Sequence, residues 1–297
     1  MTSSQPKPQP SLSDREKKLR MLVDNNLIEE ATMYLEEHEL PFLILPQPDG
    51  KHLVRSIYTE GEQYLNRFIT IDPEMLSMKE DALKVSHTPY EVLVWGETGT
   101  GKDIISCSQI NNREGQLKVV NCSGLPRDLI ESELFGHVKG AFTSADKEKE
   151  GLIAAANDGV MFLDEIGDMP LDVQAKLLRA IQYKVIRKVG SNKEEKITCK
   201  FVCATNKNLP EMVKRGEFRE DLYARLSTLE LHITPLRERL CDVEPICNSL
   251  EGGKEFYREY GKQVMDGLLD LSLNVRSLQQ YIIRFSVLGK VRQTKGK

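Results

Sequence analysis

The apolar run EVLVW at residues 91–95 opens directly into GETGTGKD at 96–103, and this junction constrains the fold more than any other stretch. Gly96, Gly99, Gly101 and Lys102 match the pattern Gly, four residues, Gly-Lys. In that pattern glycines let backbone N–H groups turn inward around phosphate oxygens. A strand before the loop and a helix after it are the context the pattern requires, and the helix start adds a favourable partial positive charge. Gly96, Glu97, Thr98, Gly99, Thr100, Gly101, Lys102 and Asp103 are therefore candidate nucleotide-binding residues, with Lys102 reaching the β- and γ-phosphates. Asp103 stands where most such loops carry the Ser or Thr that holds magnesium, which shifts that task to water and a downstream acid.

Four more strand-like runs follow: LKVVN, GVMFLDE, KITCKFVCATN and TLELHI. Helical segments lie between them, and after Pro235 the pattern is helical to the end. The alternation predicts an α/β fold with a mostly parallel five-stranded sheet flanked by helices. In such sheets ligands gather at the carboxyl ends of the strands, which puts Asp164 and Glu165 beside the phosphate loop. Asp164 is the candidate magnesium ligand. Glu165 is the candidate catalytic residue that orients and polarises an attacking water.

Upstream, residues 1–11 are polar and Pro-rich. Ser13 is placed to cap a helix beginning DREKKLRML, with Glu16 completing a capping box. A second helical stretch, LIEEATMYLEEHEL, precedes FLILP, a QPDGK turn and HLVRSIY, which reads as a hairpin. Two helices and a hairpin suit a winged DNA-reading unit, and the basic run REKKLR equally suits a solvated helix face. The formal net charge of −4 argues against coating nucleic acid by bulk charge, although a local patch is compatible with it. The six cysteines form no C-x-x-C pair and no zinc spacing, so reduced thiols are expected. No apolar run approaches the roughly 20 residues of a membrane span, and no signal peptide is visible, so a cytoplasmic location is expected.

GETGTGKD, VVNCSGLP, ESELFGHVKGAFTSA, FLDEIGDMPLDVQAKLLRAIQ, VCATNKNLPEMV, FREDLYARL and PLRERLCDV occur in that order. Together they resemble the central AAA+ domain of bacterial sigma-54-dependent transcription activators, over about residues 68–290. The resemblance implies a ring, usually a hexamer, that hydrolyses ATP with magnesium and remodels sigma-54 RNA polymerase. It implies a sigma-54-contact loop at Gly140, Ala141, Phe142, Thr143, Ser144 and Ala145, with Phe142 and Thr143 as the contacts. Ser144 replaces the family glycine and Val138 the usual glutamate. If position 144 needs a left-handed backbone, a Cβ there costs roughly 1–2 kcal/mol, which would weaken or retune sigma-54 engagement.

By the same resemblance Asn121 is the switch asparagine that holds the catalytic glutamate. Asn206 is the sensor near the γ-phosphate. Arg219 and Arg225 are arginine fingers for a neighbouring subunit, with intrachain salt bridges as the other reading. Arg276 in LNVRSLQQ is the second sensor arginine, in a motif where Leu273 and Ser277 depart from the family. The segment between Lys102 and Asn121 is shorter than in most relatives. The expected divisions are an N-terminal unit over 1–67, the AAA+ core over 68–233, and a truncated-looking helical lid and basic tail over 234–297. Fewer residues follow Arg276 than a helix-turn-helix needs, so enhancer targeting falls to the N-terminal unit or a partner, and the basic tail VRQTKGK suits either solvation or contact with phosphate backbone. Two other readings stay open: an ATPase acting on a different protein client, and an inactive nucleotide-binding regulator.

Overall fold

The computed structural model describes residues 12–25, 27–37, 42–46, 52–56, 59–111, 113–124, 126–142 and 145–291. They form two units, residues 1–59 and 60–297.

The first unit contains α1 (Leu12–Asp24), α2 (Ile28–Glu37), β1 (Phe42–Pro46) and β2 (His52–Ser56). Leu19 and Val23, one turn apart, bury against Ala31 and Tyr34. The strands pair antiparallel, Phe42 opposite Ser56 and Pro46 opposite His52, as a hairpin requires. The described helix begins at Leu12, one residue before Ser13. Lys18 of the basic run lies 4.4 Å from the Tyr34 ring centroid, an internal contact for one of the charges considered for DNA. The Pro-rich start, the hairpin turn and the basic tail from 292 lie outside the described residues.

The second unit begins with α3 (Glu60–Leu65) and α4 (Pro73–Ser86). Leu65 and Phe68 are buried in the same apolar cluster as the sheet residues Val92 and Val94, so residues 60–67 belong here and the expected boundary at 67 moves back to 59. Asp72 caps α4 by accepting from the Met75 N–H at 3.1 Å, and Pro73 starts it. Five parallel strands follow: β3 (Val92–Gly96), β4 (Leu117–Asn121), β7 (Val160–Asp164), β10 (Lys200–Thr205) and β11 (Glu230–Ile233), in the order β11-β3-β10-β7-β4. Between them run α5 (Lys102–Cys107), α6 (Arg127–Phe135), the short pair β5 (Gly136–His137) and β6 (Lys149–Glu150), and α7 (Leu152–Ala155). Next come α8 (Leu171–Tyr183), the hairpin β8 (Val185–Arg187) and β9 (Glu194–Lys196), α9 (Leu209–Lys214) and α10 (Glu220–Leu226).

Strand alternation builds two cores. Val160 and Phe162 of β7, with Val202 and Ala204 of β10, face α3, α4 and α5. Met161 and Leu163, with Phe201 and Cys203, face α6, α8 and α10. A third cluster joins α11 (Val243–Ser249), α12 (Gly253–Met265) and α13 (Val275–Leu288) into a helical lid around Phe256, Leu278 and Ile282. At the last position of β3 before Gly96, Trp95 stacks on His232 with centroids 3.8 Å apart. All six cysteines are free thiols, and among the described residues no helix is long and apolar enough to cross a membrane.

Lys200 is 1% exposed, at the end of the sheet away from the loop. Its Nζ donates to the Val85 carbonyl at 2.7 Å and to Gln109 Oε1 at 3.2 Å, two acceptors that match the two N–H bonds of a neutral amine. Burial, then the Arg113 charge, pushes its pKa down to about 7. A lysine depressed in the folded state binds fewer protons than in the unfolded chain between about 7 and the ordinary 10.5, so its contribution to stability rises with pH across that window and is lost as pH falls through 7. Urea midpoints measured at several pH values between about 7 and the ordinary 10.5 are expected to climb more steeply in the wild type than in Lys200→Met. Equal slopes would refute the assignment.

Candidate functional site

The ends of β3, β7 and β10 converge on the phosphate loop. Gly99 and Gly101 hold φ of 78° and 103°, backbone positions that a side chain resists. A Cβ at Gly99 would lie 2.2 Å from the Leu273 carbonyl of the lid, and one at Gly101 3.1 Å from the Phe68 ring. Lys102, 6% exposed, donates to the Gly96 and Glu97 carbonyls at 3.0 and 3.1 Å. Its Nζ is 3.8 Å from Glu165 Oε1. Thr100 closes the loop with a hydroxyl bond to the Glu97 carbonyl at 2.9 Å.

The acids leave β7 through an unusual turn. Glu165 sits at φ 50° and ψ 52°, left-handed for a residue with a Cβ, which costs of order 1–3 kcal/mol and persists where the surroundings demand it. That turn aims its carboxylate at Lys102 and at the Asn206 N–H, which donates to Oε2 at 3.1 Å. The Asn206 side chain donates in turn to Thr98 Oγ1 at 2.9 Å, so the residue expected as sensor ties β10 to the loop. Asp164 accepts from the Glu165 N–H at 3.0 Å and from Asn121 Nδ2 at 3.0 Å. Burial, then the adjacent Glu165 charge, pushes the Asp164 carboxyl above its usual range, with Lys102 pulling the other way.

Asn121 thus corrects an expectation: its amide holds Asp164 and not Glu165. The parallel register sets Asn121 directly opposite Asp164, while the turn carries Glu165 away toward Lys102. The Asn121 oxygen is taken by the Ser123 N–H and hydroxyl at 2.8 and 2.6 Å.

A cleft of ≈ 270 Å³ opens beside the loop, lined among others by Arg67, Phe68, Gly101, Asp103, Arg239 and Arg276. Arg276 is exposed at its edge. The two finger candidates differ. Arg219 is engaged by Asp221 through two bonds of 3.0 and 2.7 Å, whereas exposed Arg225 has no ion-pair partner among the described residues. Gln174, which the sequence did not single out, is fully buried and accepts from the Arg219 N–H at 2.9 Å, fixing where α10 begins.

In the loop between β5 and β6, Gly140 at φ 80° donates its N–H to the Ala145 carbonyl at 2.9 Å, and the Ala145 N–H returns to the Phe142 carbonyl at 2.9 Å. Ala145 is 4% exposed, so it forms the buried base of the loop and not a contact residue. Phe142 is 40% exposed and meets the His137 ring edge-on at 4.8 Å. Exposed Gly140 and half-buried Ala141 complete the described part, and Thr143 and Ser144 lie outside the described residues. Val138 is backbone-paired to Val189 at 3.1 Å, joining this loop to the β8–β9 hairpin.

Arg239 and Asp242 were also missed. They are 1% and 0% exposed and paired at 2.7 Å. The guanidinium also donates to the Thr234 carbonyl at 2.8 Å and to the Thr100 carbonyl at 3.4 Å. The Asp242 carboxylate accepts from the Ile71 and Asp72 N–H groups at 2.7 and 3.1 Å and from the Thr70 hydroxyl at 2.7 Å. The pair therefore binds lid, loop and the segment before α4 together. Its sequence signal was an Arg and an Asp three apart within PLRERLCD.

The Sigma-54 interaction domain family matches residues 68–232. The transcriptional regulatory protein GlrR of Escherichia coli K12 is 41% identical over 240 residues, covering 77% of this chain and 54% of that protein. The anaerobic nitric oxide reductase transcription regulator NorR of Vibrio vulnificus is 37% identical over 314 residues, covering 92% of this chain and 60% of the relative. The chain thus spans little more than half the length of these relatives. Among solved structures, NtrX from Brucella abortus in complex with ATP aligns with a TM-score of 0.65 at 24% identity, over 76% of this chain and 54% of that one. The Saccharomyces cerevisiae Hsp104–ADP complex aligns at 0.52 and 18% identity, over 77% of this chain and 46% of that one. These likenesses, with the parallel five-stranded sheet, make the fold AAA+.

Asp242→Ala leaves the Arg239 guanidinium buried without its carboxylate. It is expected to cost about 3–5 kcal/mol, read as a lowered urea midpoint. A loss below 1 kcal/mol would mean that the pair is not the joint described.

Proposed function

The chain belongs to the Sigma-54 interaction domain family, and from that premise we propose that it hydrolyses ATP in a ring of like subunits and spends the cycle on remodelling sigma-54 RNA polymerase. The observation that carries the ATPase reading is the Glu165 carboxylate, held by the Asn206 N–H at 3.1 Å and 3.8 Å from the Lys102 ammonium beneath the phosphate loop. In this reading Lys102 leaves its two loop carbonyls for the β- and γ-phosphates. Glu165 accepts a hydrogen bond from a water, which attacks the γ-phosphorus as the bond to the ADP oxygen breaks, and the water's proton passes toward the carboxylate. Asn206 fixes the carboxylate's direction.

The donor set fits magnesium: Asp164 is a half-buried carboxylate whose ionised form burial and the adjacent Glu165 charge disfavour, and a cation beside it offsets both. Both Asp164 oxygens already accept protein hydrogen bonds, which suits a hold through water, with Asp103 at the cleft wall as a second carboxylate. When bound, magnesium neutralises charge that develops on the phosphate oxygens.

Arg225 is the finger this reading prefers, because its guanidinium is exposed and unpaired among the described residues, while Arg219 is committed to Asp221. The exposed Phe142 supports a partner-contact role for its loop, and the partner named by the family is sigma-54. Sigma-54 remains the proposed client even with Ser144 in that loop.

Glu165→Gln is expected to keep ATP binding and lose turnover by about 10²–10⁴-fold. Near-wild-type turnover would sink the assignment of Glu165. Specific ATPase activity should rise with protein concentration as subunits complete each other's sites. Arg225→Ala should flatten that rise and lower turnover by roughly 10³-fold or more, with ADP binding retained. The client is tested by capture on sigma-54 with a transition-state analogue of ATP bound. Normal turnover without capture would point to a different protein client.

A further inference from the structure

A polar cluster joins the lid to the phosphate loop. The Glu97 carboxylate accepts a two-pronged bond from Arg237 at 2.6 and 2.7 Å, and a third from Asn274 Nδ2 at 3.2 Å. The same Asn274 nitrogen reaches the Thr98 carbonyl at 3.1 Å, and its oxygen accepts from the Leu236 N–H at 2.7 Å. Asn274 is fully buried, with φ 53° and ψ −129°. A residue with a Cβ stays in so sparsely populated a region only where its surroundings over-determine it. The next residue, Val275, donates its N–H to the Gly99 carbonyl at 3.1 Å. The carbonyls of Thr98 and Gly99 are thereby turned outward onto the lid. Arg276 follows directly, with its Cβ 3.0 Å from where a Cβ on Gly99 would lie.

Resting on the reading that the cleft takes a nucleotide, we propose that Glu97, Arg237 and Asn274 form a latch. As positioning residues they hold the phosphate loop in its anion-ready shape and fix Arg276 beside it, so that lid angle and nucleotide affinity change together. Their side chains act on the loop and the lid and need not touch the nucleotide. The Glu97 side chain is therefore reassigned from nucleotide ligand to latch.

The test uses the full chain and a fluorescent ADP analogue, titrated against wild type, Asn274→Gly, Arg237→Gln, Arg237→Lys and the Asn274→Gly/Arg237→Gln double variant. Glycine accepts the backbone of position 274, so Asn274→Gly removes the side chain's bonds without straining the backbone. The expected result is a Kd raised about tenfold in Asn274→Gly and in Arg237→Gln, the scale of one hydrogen bond to a charged group. Arg237→Lys should recover part of the loss, and the double variant should fall short of the product of the two singles. The KM for ATP should rise with little change in kcat. A simple loss of folded protein would lower the binding stoichiometry and leave Kd where it was. Wild-type Kd in both single variants overturns the latch alone. Wild type that does not bind the analogue overturns the nucleotide reading and the latch with it.

Discussion

A lysine ammonium that is 6% exposed cannot be left without partners, and the loop around Lys102 is organised by that requirement. Two carbonyls of the loop itself and the carboxylate of Glu165 surround the charge. The backbone reaches this arrangement only by passing through left-handed positions at Gly99 and Gly101. The same two glycines let Leu273 and Phe68 come against the loop from outside. Satisfying one buried cation therefore specifies the loop's inner surface, and the absence of two side chains specifies its outer one.

The sheet delivers the remaining groups with little freedom. Because β10 lies between β3 and β7, the carboxyl ends of the three strands form a single row. The loop, Asn206 and the acid pair stand on that row, and hydrogen bonds run along it from Asn206 to both Thr98 and Glu165. Precision at the site thus comes from strand register more than from the loop's own sequence. The left-handed turn at Glu165 is where register is converted into direction, separating two neighbouring carboxylates toward different partners.

Legibility from sequence followed the same division. The five strands were readable because each is a short apolar run bounded by turn residues, and the acids could be placed because parallel strands bring their ends together, whereas Asn206 was placed by family resemblance alone. What stayed hidden was pairing across distance. Nothing local in Glu97 announces Arg237, 140 positions away, or Asn274, 177 positions away. Asn121 was credited with the wrong acid because a strand-end turn decides which carboxylate remains opposite it. Residues 60–67 read as part of the preceding unit, since only packing reveals that Leu65 is buried against the sheet. Ala145 looked like a surface residue in a small-residue loop until its backbone proved to close that loop.

The chain has a single tryptophan, and the fold sets its indole at the strand position immediately before the loop, 43% exposed and lying flat on an imidazole. Indole emission, excited beyond the tyrosine band, therefore originates at one point, one residue before the phosphate loop begins. The molecule carries a native optical gauge of its phosphate loop, with no label needed and no second chromophore of its kind to dilute the signal.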